Sequence, residues 1–218
     1  MTEANIKISV ITPSIRPKGL EIVRECLLNQ TFKDFEWLVD INWTGKHDLN
    51  ASFNRLIKRA NGELVIFLQD YIKIAPEGLQ RFWEAYQRET KLYTAPVGKS
   101  KKEDYSDVIW DWRKNNYSEV GGTFWEIDWA CAPKRILYDI GGFDETLDQY
   151  WSCDNVNIGY RLQLKGYKFE NIDNPAVAFD HDAFEEHPFR KDYHPNFNNE
   201  RMQAFERGLT IDYLKKVV

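Results

Sequence analysis

The residues Gly62-Glu63-Leu64-Val65-Ile66-Phe67-Leu68-Gln69-Asp70 carry the clearest chemical signal in the chain: an apolar run, too short for a helix, that stops at an amide and a carboxylate. Such a run reads as a strand buried on both faces, the kind found in a parallel sheet beneath helices. Ligands of open α/β sheets sit outside the carboxyl ends of these strands, so Asp70 stands where an active-site carboxylate would stand. A turn aspartate facing water is the plainer alternative. Asp40 holds the matching place near the end of Glu36-Trp37-Leu38-Val39-Asp40-Ile41. Near the other end of the chain, Asp180-His181-Asp182 follows an apolar, strand-like stretch, and His187 and His194 crowd into the same region.

These groups need elements to position them, and the periodicity supplies several. Ile6 to Thr12 alternates, is rich in β-branched residues and runs into Pro13, so it reads as a strand and then a loop. Leu20, Val23, Leu27 and Leu28 follow at helical spacing. The strand ending near Asp40 precedes a helix marked by Leu49, Phe53, Leu56, Ile57 and Ala60, with Asp48 or Asn50 as its cap. After Asp70, Pro76 is placed to open a helix marked by Leu79, Phe82, Trp83 and Tyr86. Three strand-helix units in a row imply an α/β fold with a mostly parallel, doubly wound sheet and right-handed crossovers. The second half is less regular. Lys99 to Asp104 reads as a charged loop, Glu126 to Cys131 as a strand, and Pro133 to Ile140 as a short helix ended by Gly141-Gly142. Asn155 to Leu164 fits both periods; a cap at Asp154 and a stop at Gly166 favour helix, before a strand at Tyr167-Lys168-Phe169.

Composition narrows the function. The 218 residues carry a net charge of −5, which argues against a nucleic-acid partner, since that would need a basic face. The three cysteines lack metal-binding spacing, and no apolar run reaches membrane-spanning length. The amino-terminal residues do not resemble an export signal, so a cytoplasmic protein is expected. Aromatic residues make up 15%, including eight tryptophans, and five of these (Trp110, Trp112, Trp125, Trp129 and Trp151) fall in the second half. Tryptophan suits core packing and also stacking on the apolar face of a sugar ring.

Taken together, Thr12-Pro13-Ser14-Ile15-Arg16-Pro17, Asp40, Gly62-Glu63 before Gln69-Asp70, Gly141-Gly142-Phe143-Asp144-Glu145, an acidic position before Arg161-Leu162, and Gly166-Tyr167 resemble the family 2 glycosyltransferases of the GT-A fold. The order and spacing match over about residues 6 to 181. The resemblance implies one αβα domain over residues 1–218, with a nucleotide-sugar-binding half (1–98) and an acceptor-binding half (99–218). It implies transfer of a sugar, with inversion, from a nucleotide diphosphate sugar, a UDP-sugar being favoured, to a glycan, lipid-linked or other hydroxyl acceptor.

Residue by residue, the resemblance makes Thr12, Pro13 and Asp40 contacts to the nucleoside. Arg16, Arg55 and Lys73 become candidates to offset phosphate charge, and Gln69 and Asp70 lie at the diphosphate. Asp70 would hold Mn²⁺ or Mg²⁺ with His181 closing the site, a hard-oxygen arrangement that stabilises the departing diphosphate. Trp125, Trp129 and Trp151 would form the acceptor platform, with Asp128 as a polar contact. Two positions depart from the family pattern. Its paired carboxylates read Gln69-Asp70-Tyr71 here, and its general-base position falls on Asn155, one residue after Asp154. An amide cannot be a base, so Asp154 takes the role or the chain only binds. The rivals are therefore a non-catalytic sugar-nucleotide or glycan-binding protein and a sugar-phosphate nucleotidyltransferase. The latter needs a glycine-rich phosphate loop after the first strand, and Thr12 to Arg16 contains no glycine.

Overall fold

A computed structural model describes residues 6–14, 17–41, 48–102, 104–150 and 154–179. β1 (Ile8–Ser14), α1 (Pro17–Leu28), β2 (Phe35–Ile41), α2 (Leu49–Arg59) and β3 (Leu64–Leu68) follow in the expected order. β1 pairs in parallel with β2 on one side and β3 on the other, placing Val10 between Trp37 and Ile66. The five residues of β3 are all buried. Leu64, Ile66 and Leu68 pack into one apolar cluster while Val65 and Phe67 pack into the other, which is why the strand is apolar without alternation. Val23 and Leu27 of α1 join the first cluster, and Phe53 and Leu56 of α2 join the second. The sheet thus has a helical layer on each face.

Beyond β3 the chain departs from the simple repeat. β4 (Ile72–Ile74) intervenes before α3 (Gly78–Arg88), so Pro76 precedes the helix instead of opening it. β5 (Leu92–Thr94), β6 (Val97–Ser100), β7 (Ile109–Trp110), β8 (Glu119–Val120), β9 (Trp129–Pro133), α4 (Lys134–Asp139), α5 (Asp154–Leu164), β10 (Phe169–Asn171) and β11 (Ala176–Phe179) follow. Lys99 and Ser100, expected in a loop, belong to β6; Lys99 points to solvent while Ser100 is buried, the alternation of a strand. Helix is correct for the ambiguous segment that ends at Leu164.

The larger sheet has the order β2-β1-β3-β9-β5-β10-β8. Strands β2, β1, β3, β5 and β10 run one way, and β9 and β8 run the other. A smaller sheet, β4-β11-β6-β7, lies beside it. The fold is α/β, an αβα sandwich of the GT-A type around a mostly parallel central sheet. Cys26 and Cys131 are free and buried, and burial pushes both thiols upward in pKa. Among the described residues no helix is long and apolar enough to cross a membrane.

Within the second half, one close approach joins a turn to α5. A single-turn helix, Gly122–Phe124, crosses α5 so tightly that a Cβ on Gly159 would lie 2.0 Å from the Gly122 carbonyl oxygen. Gly159→Ala should therefore destabilise the fold by about 1–3 kcal/mol, the usual cost of overpacking, seen as a lower urea midpoint. A midpoint that rises, as an ordinary glycine-to-alanine change in a helix would produce, would rule out this contact.

Candidate functional site

Asp70 lies in the turn between β3 and β4. The Gln69 backbone N–H donates to the Asp128 carbonyl at 3.3 Å, and the Ile72 N–H donates to the Gln69 carbonyl at 3.3 Å, which folds the chain back at the strand end. The Asp70 side chain is 2% exposed, and its Oδ2 accepts a 2.6 Å hydrogen bond from Ser14 Oγ, the last residue of β1. From the other side α1 presses on the same turn: a Cβ on Gly19 would lie 2.0 Å from the Asp70 carbonyl oxygen. Two strand ends and one helix thus converge on this carboxylate.

Asp40 stands opposite Pro13 in the β1–β2 register. Its Oδ2 accepts from Ser52 Oγ at 2.6 Å and from Arg55 Nε at 2.8 Å. Arg55 also pairs with Asp48 at 2.9 Å, so the guanidinium expected to face phosphate instead lies between two carboxylates. Thr12 and Pro13 belong to β1 itself and not to a loop after it. The Thr12 hydroxyl is buried and accepts from Trp37 Nε1 at 3.0 Å.

The motif Gly141-Gly142-Phe143-Asp144-Glu145 and Arg161 serve as clamps. Arg161, buried in α5, donates to the carbonyls of Gly142, at 2.9 Å, and of Ile140. Asn54 of α2 brackets Phe143, accepting from its N–H at 2.8 Å and donating to its carbonyl at 2.9 Å. Asp148 then receives the Asn50 and Ala51 N–H groups at 2.7 and 3.1 Å, capping α2 from a distant part of the chain. The local cap expected at Asp48 makes no such bond, and Asn50 donates its own amide to Asp148 at 2.8 Å. The helix dipole favours a carboxylate at this end wherever in the chain it originates.

The tryptophan platform requires correction. Trp125 and Trp129 are 0% exposed: Trp125 meets Phe67 edge-on at 5.5 Å and Trp129 meets Phe82 at 4.7 Å. Their indole N–H groups donate to the carbonyls of Tyr93, at 3.0 Å, and Asn174, at 2.7 Å. Both rings are core, with no face left for a sugar. Asp128, expected to contact the acceptor, instead grips Arg113 through two 3.1 Å bonds. Arg113 is 2% exposed and also meets Asp111 at 2.6 Å and Thr94 Oγ1 at 2.8 Å. No motif flagged this arginine, because the charge that satisfies it comes partly from residues remote in sequence.

Near the amino end of α5, Asn155 Nδ2 donates to Glu126 Oε2 at 2.7 Å. Glu126, expected within a strand, lies in the chain just ahead of one that starts at Trp129. Asp154 is the first residue of α5, with its side chain outside the described residues, and Arg16, Trp151 and His181 lie wholly outside them. Among the described residues no three of His, Cys, Asp and Glu gather as a metal cluster. A cavity of about 660 Å³ lined by Lys7, Glu63, Tyr86, Lys134 and Arg135 lies at the amino ends of β1 and β3, the edge opposite Asp70.

The Arg113 cluster has a measurable consequence. Arg113→Met leaves Asp111 and Asp128 facing each other without a cation. The cost should be about 3 kcal/mol in urea unfolding, the low end for a broken buried pair because both carboxylates are about a quarter exposed. A loss well under 1 kcal/mol would show that the arginine does not organise this turn.

No family model matches the chain, and no curated protein matches it. Its fold is similar to that of S. aureus TarS, with a TM-score of 0.62 and 16% identity over 79% of this chain. It is also similar to TarS 1-349 in complex with UDP-GlcNAc and in complex with UDP, each at a TM-score of 0.65 and 14% identity over 97% of this chain. The chain spans 36% of the first of these structures and about 70% of the UDP-GlcNAc complex. At these identities the likeness establishes the fold that the strand order already displays: a GT-A-type αβα sandwich.

Proposed function

We propose that the chain binds a nucleotide diphosphate sugar, with a UDP-sugar favoured, and transfers the sugar with inversion to an acceptor hydroxyl. The observation that carries this reading is the buried Asp70 carboxylate at the carboxyl end of β3, hydrogen-bonded by Ser14 while α1 packs on its backbone. It supports the reading because the fold is shared with a protein whose structures hold UDP-GlcNAc and UDP. The nucleoside would lie over the ends of β1 and β2, against the Thr12 and Pro13 backbone and Asp40. The diphosphate would lie over Gln69 and Asp70, with Arg16 as a candidate cation from outside the described residues.

Asp70 suits a hard divalent ion, being a carboxylate at a strand end, but the described residues form no cluster of three such ligands. Donor phosphate oxygens, water and His181 would complete the set. When bound, Mg²⁺ or Mn²⁺ would supply positive charge for the departing diphosphate. The acceptor hydroxyl must lose its proton to a carboxylate near the amino end of α5. A second reading, a sugar-nucleotide-binding protein without turnover, is favoured by one feature, the amide of Asn155 where the family resemblance places the base.

Titration of the chain with UDP-GlcNAc tests the proposal. Saturation at about one hundred times Kd should stabilise the fold by about 2.7 kcal/mol. Asp70→Asn keeps an acceptor for Ser14 but removes the charge, and should weaken donor binding at least about tenfold, equivalent to about 1.4 kcal/mol, without unfolding the protein. No stabilisation by any UDP-, GDP-, CMP- or dTDP-sugar would overturn the donor reading. Equal affinity in EDTA and in Mn²⁺ would remove the metal from it.

A further inference from the structure

We infer that Glu126 is the carboxylate that takes the acceptor's proton and that Asn155 is its positioning residue; this rests on the transferase reading above. The pairing itself is directional. An amide N–H can only donate, so the 2.7 Å contact from Asn155 Nδ2 to Glu126 Oε2 stabilises Glu126 in its ionised form, the state a general base requires. A carboxylate at position 155 would do the opposite. Two carboxyl groups at that distance share one proton, and one of them would stay neutral at ordinary pH.

Location supports the role. Glu126 precedes β9, and two residues later the Asp128 carbonyl binds the Gln69 N–H, so Glu126 opens on the edge of the sheet that carries Asp70. Its side chain is half-buried, partly withdrawn from water. The backbone is held on both sides: Trp125 and Ile127 are buried, and Thr94 Oγ1 donates to the Glu126 carbonyl at 3.0 Å. Asp128 is locked by Arg113. The preceding turn is fixed to α5 by the Gly122–Gly159 approach and by a 2.6 Å bond from the Gly122 N–H to Gln163 Oε1. A base held in this way meets the requirement for positioned proton transfer, because its supporting residues are themselves immobilised.

In the step assigned to it, Glu126 accepts the hydroxyl proton as the acceptor oxygen bonds to the anomeric carbon. The bond from that carbon to the diphosphate oxygen breaks, and its electron pair leaves with the nucleoside diphosphate. Asn155 touches no reacting atom and acts through Glu126 alone.

The test uses the chain with UDP-GlcNAc, following UDP release with water as acceptor and donor Kd by calorimetry. Glu126→Gln preserves an oxygen acceptor for Asn155 but cannot take a proton. It should lower kcat by about one hundred- to ten thousandfold with donor Kd and melting temperature nearly unchanged. Glu126→Asp should recover part of the loss. Near-normal kcat in Glu126→Gln would overturn the assignment, as would a large loss in Asp154→Asn alone. Donor binding without any UDP release in the unaltered chain would overturn it too while leaving the donor site standing. Failure of the unaltered chain to bind any nucleotide sugar would remove the transferase reading, and this assignment with it.

Discussion

The antiparallel pairing of β9 against β3 decides where the chemistry of this fold collects. In that register Leu68 lies opposite Trp129 and Leu64 opposite Pro133, so β9 begins where β3 ends. A parallel neighbour would have begun at the far edge of the sheet. Because it does not, Glu126 and Asp128, which lead into β9, share an edge with Gln69 and Asp70. The hydrogen bond from Gln69 N–H to the Asp128 carbonyl is the local expression of that register.

Polar groups then hold this edge in place, and their magnitudes show what they contribute. Arg113, Asp111 and Asp128 form a buried ionic cluster whose desolvation cost roughly cancels its attraction, so its net contribution to stability is small while breaking it is expensive. Stability comes instead from the two apolar layers around β3. Each buried large side chain there, such as Phe53, Phe67 or Leu79, contributes about 1.5–3 kcal/mol relative to exposure. The ionic cluster fixes where a turn sits; the apolar layers keep the sheet folded.

A similar division separates the motif residues by role. Arg161, Asn54 and Asp148 connect the Gly141-Gly142-Phe143 loop to α5 and α2, so a motif that carries the family resemblance here holds two helices at a fixed spacing. Asp40 and Arg55 likewise tie the end of β2 to α2.

The sequence by itself determined the order β1-α1-β2-α2-β3, the burial of Leu64 to Leu68, and the placement of Asp40 and Asp70 at strand ends. Those features depend on side-chain periods of two to four residues, which a linear sequence displays directly. It also resolved α5 as a helix from a cap and a glycine stop. Only the tertiary structure decided the rest. A tryptophan stacking on sugar and one filling a core look alike in composition, and burial assigned Trp125 and Trp129 to the core. The capping of α2 by Asp148 joins residues 98 apart, the Glu126–Asn155 pair joins residues 29 apart, and Arg113 reaches 19 residues back to Thr94. Such pairings follow from the register in which strands meet and from the faces that helices turn inward. No local period encodes that choice, because it is made by the burial free energy of the whole chain.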